Sequence, residues 1–374
     1  VSNDPDLLYS DVEEELRASV RSLLADRCGW DRVLARVESD EVTDLALWRS
    51  LADLGVAGLA IPEEAGGAGA TLRESAVVAE ELGRAVAPLP FLGSAVLATG
   101  TLLALDGRAD SPLGEALASL ASGERTATLL IPLATAPDAG FPEGVRVEEG
   151  RLSGRVGGVV DASTADLLVV PAAGSEGPAL YLVEAGEATV TTVVSLDLTR
   201  PLADVELAGA SGRLLATGEQ AESAVRRGLV TGAALLAAEQ LGCAEWALST
   251  TVEYLKTRHQ FGRPLGSFQA LKHRLADLWV SISQARAVVR NAASAVASDD
   301  PEAPLAAALA QAFVSGVAVT AAEEAVQLHG GIGFTWEHPA HLYLKRAKSC
   351  SIALGTADRH RLTIARLVDL PAAR

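Results

Sequence analysis

The chain has 374 residues, of which 49% are hydrophobic and only 4% aromatic, and it carries a formal charge of -17. That length supports more than one core, and the acidic balance argues against nonspecific nucleic-acid binding, so a basic site for a phosphate-bearing ligand has to be built locally. The apolar excess is Ala, Leu and Val spread throughout; no long uncharged apolar run predicts a membrane span, and the acidic start VSNDPDLLYSDVEEELR is unlike a secretory signal.

From Leu7 to about Gly123 the periodicity is helical. DVEEELRASVRSLLADR places apolar residues at three- and four-residue steps with acidic residues early, and Asp44 to Leu54 forms a second amphipathic run. Gly and Pro break GVAGLAIPEEAGGAG into a loop before the helix RESAVVAEELGRAVAP, where Glu80 and Glu81 read as a solvated face. Between about Arg125 and Leu215 the texture changes to β-branched runs, TATLLIPL, GVRVEE, RLSGRV, ADLLVVPA, ALYLVEA and ATVTTVV, which predict a small barrel or sandwich.

After Gly218 the helices return. AALLAAEQLGCAEWALSTTVEYLKTR puts small residues around Gly242, as expected where two helices approach closely, and two further long amphipathic helices flank Asp299, Asp300 and Pro301. The predicted fold is mainly α with a central β domain, divided at 1–123, 124–217 and 218–374. Cys28, Cys243 and Cys350 lack metal-ligand spacing, which predicts buried reduced thiols, no metal site and a cytoplasmic setting.

Two segments look chemical. RHQFGRPLGSFQ, from Arg258, sets a guanidinium at a helix end, a good anion ligand, ahead of Phe261 and Gln269. QLHGGIGFTWEHP, from Gln327, follows an amide with paired glycines that let backbone lie flat against a ligand or another chain. In this order and spacing, continuing through HLYLKRAKS, the segments resemble the carboxy-terminal domain of the flavin-dependent acyl-CoA dehydrogenases. The resemblance implies an N-terminal helical domain, a middle β-barrel and a C-terminal four-helix bundle. It also implies FAD, with Arg258, Phe261, Gln269, Gln327 and Gly331 around the ADP half of a neighbouring subunit's cofactor, and Thr356 matching a further cofactor position.

Other family positions depart from the pattern. The usual catalytic glutamate stands before a Gly-Thr pair, and here that residue is Leu354, which cannot accept a proton. In a smaller group the glutamate follows the arginine; here that position holds His259, which can act as a base but reads more plainly as a solvated helix-end side chain. The barrel's flavin-facing runs have TAPDAG, from Thr135, and VVDAST, from Val159, as nearest counterparts, without the aromatic and threonine that would seat the ring. Residues serving a partner's flavin are kept while those serving the chain's own flavin and substrate are mostly gone. The pattern resembles the base-less subunit of actinobacterial α2β2 acyl-CoA dehydrogenases for steroid side chains. That implies a homologous catalytic subunit, an acyl-CoA substrate and an electron-transfer flavoprotein as acceptor. Two alternatives remain: a homotetrameric dehydrogenase or oxidase with its base at His259 or Asp358, and a flavin-free acyl-CoA-binding scaffold.

Overall fold

Residues 7–105, 111–175 and 177–371 are described in the computed structural model of the chain. Helix α1 (Asp11–Arg27) starts at a capping box in which Ser10 and Glu13 satisfy each other's backbone N–H, and Thr71 and Glu74 repeat the device at α4 (Leu72–Ala85). Between them lie α2 (Trp30–Val37) and α3 (Leu45–Ala52), the latter capped by Asp44. A π-helical stretch, Phe91–Ala98, then runs into α5 (Thr99–Leu102), followed by α6 (Pro112–Ala121).

Glu80 and Glu81 correct the expectation of a solvated face. Both are buried under α1: the Tyr9 hydroxyl donates to Glu80 at 2.9 Å, Arg17 reaches Glu80 at 2.9 Å and Arg21 reaches Glu81 at 2.7 Å. Burial lifts the Glu80 carboxyl to about 7, although Arg17 beside it pulls the other way. The charges on one helix are thus matched by arginines on another, a pairing that the period of either helix alone does not reveal.

The middle of the chain forms one eight-stranded mixed sheet. Its strands are β1 (Ala127–Leu129), β2 (Val145–Glu148), β3 (Arg151–Val160), β4 (Leu167–Gly174), β5 (Gly177–Glu184), β6 (Ala188–Val193), β7 (Leu202–Ala210) and β8 (Arg213–Thr217). They pair in the order β6-β7-β3-β2-β4-β5-β8, with β1 parallel to β4. Two-residue periodicity splits β4 between two cores: Leu168, Val170 and Ala172 join the sheet's own interior, while Leu167 and Val169 face the core shared with the helices. Strands β7 and β8 lie outside the predicted runs.

The remaining helices are α7 (Gly218–Thr257), α8 (Gln269–Ala297), α9 (Ala303–His329), α10 (Ala340–Cys350) and α11 (Ala357–Leu367). Gly242 marks the expected close approach, and its neighbour is α4: a Cβ on Gly242 would lie 1.8 Å from the Glu80 carbonyl oxygen, and one on Gly83 would lie 2.0 Å from that of Glu239. The expectation that no run is apolar enough to span a membrane is also corrected. The helical segment Ala303–Phe334 passes on length and composition, yet it is mostly buried, because its alanine faces pack in the bundle. All three thiols are free and buried.

Sheet and bundle are tied by a buried ion cluster. Arg346 of α10 meets Asp197 at 2.5 Å and Glu239 of α7 at 2.6 Å, and also donates to the Thr199 carbonyl at 3.1 Å. Arg200 pairs with the same glutamate and reaches Cys350 Sγ at 3.2 Å.

Candidate functional site

Arg258 caps α7, its N–H donating to the Tyr254 carbonyl and its own carbonyl accepting from the Leu265 N–H, each at 2.8 Å. Between those bonds, β9 (His259–Gln260) and β10 (Arg263–Pro264) make a hairpin around Phe261 and Gly262, both at positive φ, 54° and 76°. A two-residue turn of this kind suits Gly at the second position, but the first favours Asn, Asp or Gly over an aromatic. Phe261 nevertheless stands there 86% exposed, edge-on to Phe268, whose ring also receives the Arg263 guanidinium at 3.9 Å. Phe268 is the N-cap of α8 and supplies no side-chain cap; its own N–H is taken by the Leu265 carbonyl and that of Leu271 by the Phe268 carbonyl, which leaves the N–H groups of the exposed Gln269 and Ala270 for another acceptor.

The second segment closes α9. Gly330 adopts φ 63°, and a Cβ built on Gly331 would meet nothing within 4 Å. The Tyr254 ring stacks on His329 at 4.4 Å between centroids, and its hydroxyl donates to the His329 carbonyl at 3.3 Å. This contact brings the two segments to one end of the bundle. Tyr254 and His329 were not singled out from sequence, although Tyr254 lies one helical turn before Arg258 and His329 directly precedes the glycine pair. Arg258, Phe261, Gln269, Gln327 and Gly331 are all exposed, and among the described residues no carboxylate pairs with Arg258. Phe334 and Trp336 add exposed aromatic surface nearby in the chain. His259 is exposed too, with Nδ1 3.0 Å from the Thr257 carbonyl.

Leu354 lies elsewhere, in a tight turn at φ 54°, and is wholly buried. Its N–H donates to the Leu133 carbonyl at 2.7 Å, and its own carbonyl lies 3.0 Å from His360 Nε2. Burial holds the His360 ring below its ordinary 6.5, although backbone bonds to Leu354 and Gly355 oppose the shift, so the neutral ring donates to the Leu354 carbonyl. The leucine packs over Gly232, where a Cβ would come 3.0 Å from Leu354 Cδ1, and a Cβ on Gly355 would come 3.0 Å from that of Ala136. Thr356 is the N-cap of α11, accepting the Arg359 N–H at 3.3 Å, and the exposed Asp358 pairs with Arg361 at 2.6 Å. In VVDAST, Val159 is core and Asp161 is buried against the π-helical stretch, accepting the Gly93 N–H at 2.9 Å. Burial raises the Asp161 carboxyl to about 6, against the pull of that bond.

Residues 10–124 match the model of the acyl-CoA dehydrogenase N-terminal domain, and residues 223–368 that of the C-terminal domain. The chain belongs to the acyl-CoA dehydrogenase family. It is 41% identical over 334 residues to acyl-CoA dehydrogenase IpdE2 of Mycobacterium tuberculosis, covering 89% of each chain. Among solved structures it is similar to the ChsE4-ChsE5 complex from Mycobacterium tuberculosis, with a TM-score of 0.86 and 30% identity over 98% of this chain and 100% of the other. It is also similar to a variant of the steroid acyl-CoA dehydrogenase Tcur3481-Tcur3483, with a TM-score of 0.84 and 31% identity over 96% and 98%.

Proposed function

We propose that this chain is the base-less subunit of a heteromeric FAD-dependent acyl-CoA dehydrogenase, an α2β2 assembly whose homologous sister chain performs the α,β-dehydrogenation. The observation that supports this most directly is Leu354. The residue before the Gly-Thr pair is a buried hydrocarbon, its N–H is spent on Leu133, and the turn packs straight onto the 133–136 segment. No proton acceptor stands there, and no backbone donor at Leu354 is left to polarise a thioester carbonyl. Asp161 is likewise committed to holding the sheet against the helices, and Val159 to the sheet's own interior.

The far end of the bundle offers the opposite. A guanidinium that is exposed and has no carboxylate partner among the described residues, a helix start without a side-chain cap, open glycine backbone and a presented aromatic ring suit the ADP half of a dinucleotide. The chemistry FAD supplies when bound is hydride acceptance. This chain's part is to hold the pyrophosphate with Arg258 and to pack Phe261, Gln269, Gln327 and Gly331 around the ADP moiety of the sister's cofactor. The similar ChsE4-ChsE5 complex pairs two differently named chains, and the similar Tcur3481-Tcur3483 enzyme is a steroid acyl-CoA dehydrogenase. In this reading the substrate is a steroid side-chain CoA ester, in keeping with the steroid enzyme, and the acceptor, as the family resemblance implies, is an electron-transfer flavoprotein. His259 and Asp358 suit the base's role less well, since each is solvated at the surface and engaged locally.

The test is the visible spectrum of the chain purified alone and co-purified with its sister. Colourless alone and yellow together supports the heteromer. Yellow and active alone supports the homotetramer, and colourless in both states supports a scaffold. Leu354→Glu in the isolated chain, with FAD and an artificial electron acceptor supplied, is expected to give no acyl-CoA oxidation; activity from that single change would show an intact flavin seat. The same carboxylate, buried without a cation, is expected to cost about 1–3 kcal/mol of stability in urea titration.

Phe261→Asn is expected to separate stability from ligand binding. Asn tolerates the left-handed turn, so the isolated chain should gain roughly 0.5–1 kcal/mol, while the complex should retain less flavin. A variant that gains stability and keeps its full flavin absorbance would leave the ring without a ligand role.

A further inference from the structure

Away from both flavin-related segments, a cavity of about 240 Å³ opens where the 60–72 loop, the Phe91–Leu102 helical stretch, α7 and the end of α8 meet. Its walls mix small apolar residues, Ala60, Ala70, Ala95 and Val296 among them, with the polar side chains of Thr71 and Thr99. One polar group on α7 lines it without a partner among the described residues: Thr231 is 1% exposed, and its Oγ1 makes no hydrogen bond to any of them. Other buried threonines satisfy themselves along their own helices, Thr251 by donating to the Ala247 carbonyl at 2.6 Å and Thr101 to that of Leu97 at 2.8 Å. A buried hydroxyl left unpaired costs stability, and such groups mark sites that another molecule completes. Gly100 borders it beside Thr231, where an added Cβ would lie in ordinary contact 3.6 Å from Thr231 Cβ and from Gly228 Cα, and the π-helical stretch that shapes this wall is a geometry often found at functional sites.

Charge decides what kind of molecule fits. Arg227, at the rim, is ion-paired with Asp299 and reaches the Val296 carbonyl at 3.4 Å, so the mouth is electrically balanced and favours neither an anion nor a cation. A cavity of 150 Å³ accommodates benzene, so by proportion this one holds roughly ten heavy atoms. We propose that the cavity binds a compact, uncharged molecule of that size carrying one carbonyl or hydroxyl oxygen, which the Thr231 hydroxyl engages. The site does not depend on where the flavin is held.

Camphor, a compact bicyclic ketone of suitable size, is the probe, and bornane, the same skeleton without oxygen, is the control, each titrated calorimetrically into the full chain. Camphor is expected to bind with one-to-one stoichiometry, about five-fold more weakly to Thr231→Val, while bornane does not distinguish the two proteins. Gly100→Ala, whose added Cβ would make only ordinary contacts at 3.6 Å from Gly228 Cα and Thr231, is expected to narrow the space and weaken binding of both. Thr231→Val should be at least as stable as the parent without ligand, because it removes the unpaired hydroxyl, so weakened binding is not a folding defect. Failure of camphor to saturate the parent, or equal affinity for the parent and both variants, overturns the proposal.

Discussion

Arg346→Met is expected to destabilise the chain by about 3–5 kcal/mol, the range for removing one partner of a buried ion pair. Methionine replaces much of the volume, so the loss is electrostatic rather than a cavity effect. Among the described residues, Asp197 would lose its guanidinium partner, keeping the Thr199 N–H and hydroxyl, and Glu239 would keep Arg200 and a long contact from Cys350 Sγ, both carboxylates remaining buried. Burial works to raise the Glu239 carboxyl, but Arg200 and Arg346 together hold it below its ordinary 4.5. A carboxyl held down in the folded state contributes stability above its unfolded value and loses it as pH falls through the folded value. The gap between parent and variant should therefore be widest near neutral pH and narrow below about 4.5, where protonation relieves the uncompensated charge. Denaturant titrations across that range check both magnitude and sign. A loss below 1 kcal/mol at neutral pH would mean that water enters and solvates the cluster.

Arg258→Ala is expected to strip flavin from the assembled complex while leaving the chain's own stability nearly unchanged. A guanidinium on a pyrophosphate at a partly buried interface contributes on the order of 2 kcal/mol or more, which weakens retention about thirty-fold. The folded chain should lose little, because the side chain is exposed and makes no carboxylate ion pair among the described residues. Arg258→Lys should recover part of the loss, since it keeps the charge but not the planar fork. Flavin content from the absorbance ratio, read beside the thermal midpoint, separates the two effects. Full retention by Arg258→Ala would overturn the assignment of this surface to the ADP half.

The order helices, strands, helices is legible in the sequence because period is a local property: a face that repeats at helical or two-residue steps announces its element wherever its partner lies. Gly242 as a point of close approach was legible for the same reason, since a missing side chain matters only where something comes near. The identity of Leu354 and the spacing around Arg258 and Gln327 could also be read directly, and with them the family. What covers each face was not legible. Glu80 and Glu81 follow the period of a solvated stripe, and only the packing of α1 gave them arginines and buried them. Tyr254 meets His329 across 75 residues, joining two segments whose cooperation the sequence could only suggest by order. Phe261 reads as an ordinary aromatic until the hairpin closes and sets it at a left-handed turn. The N–H of Leu354 is consumed by a carbonyl in the turn after β1, and among the described residues the Thr231 hydroxyl finds no hydrogen-bond partner. Each of these was decided by the tertiary structure, because burial and hydrogen-bond satisfaction belong to pairs of elements and no single element's periodicity encodes them.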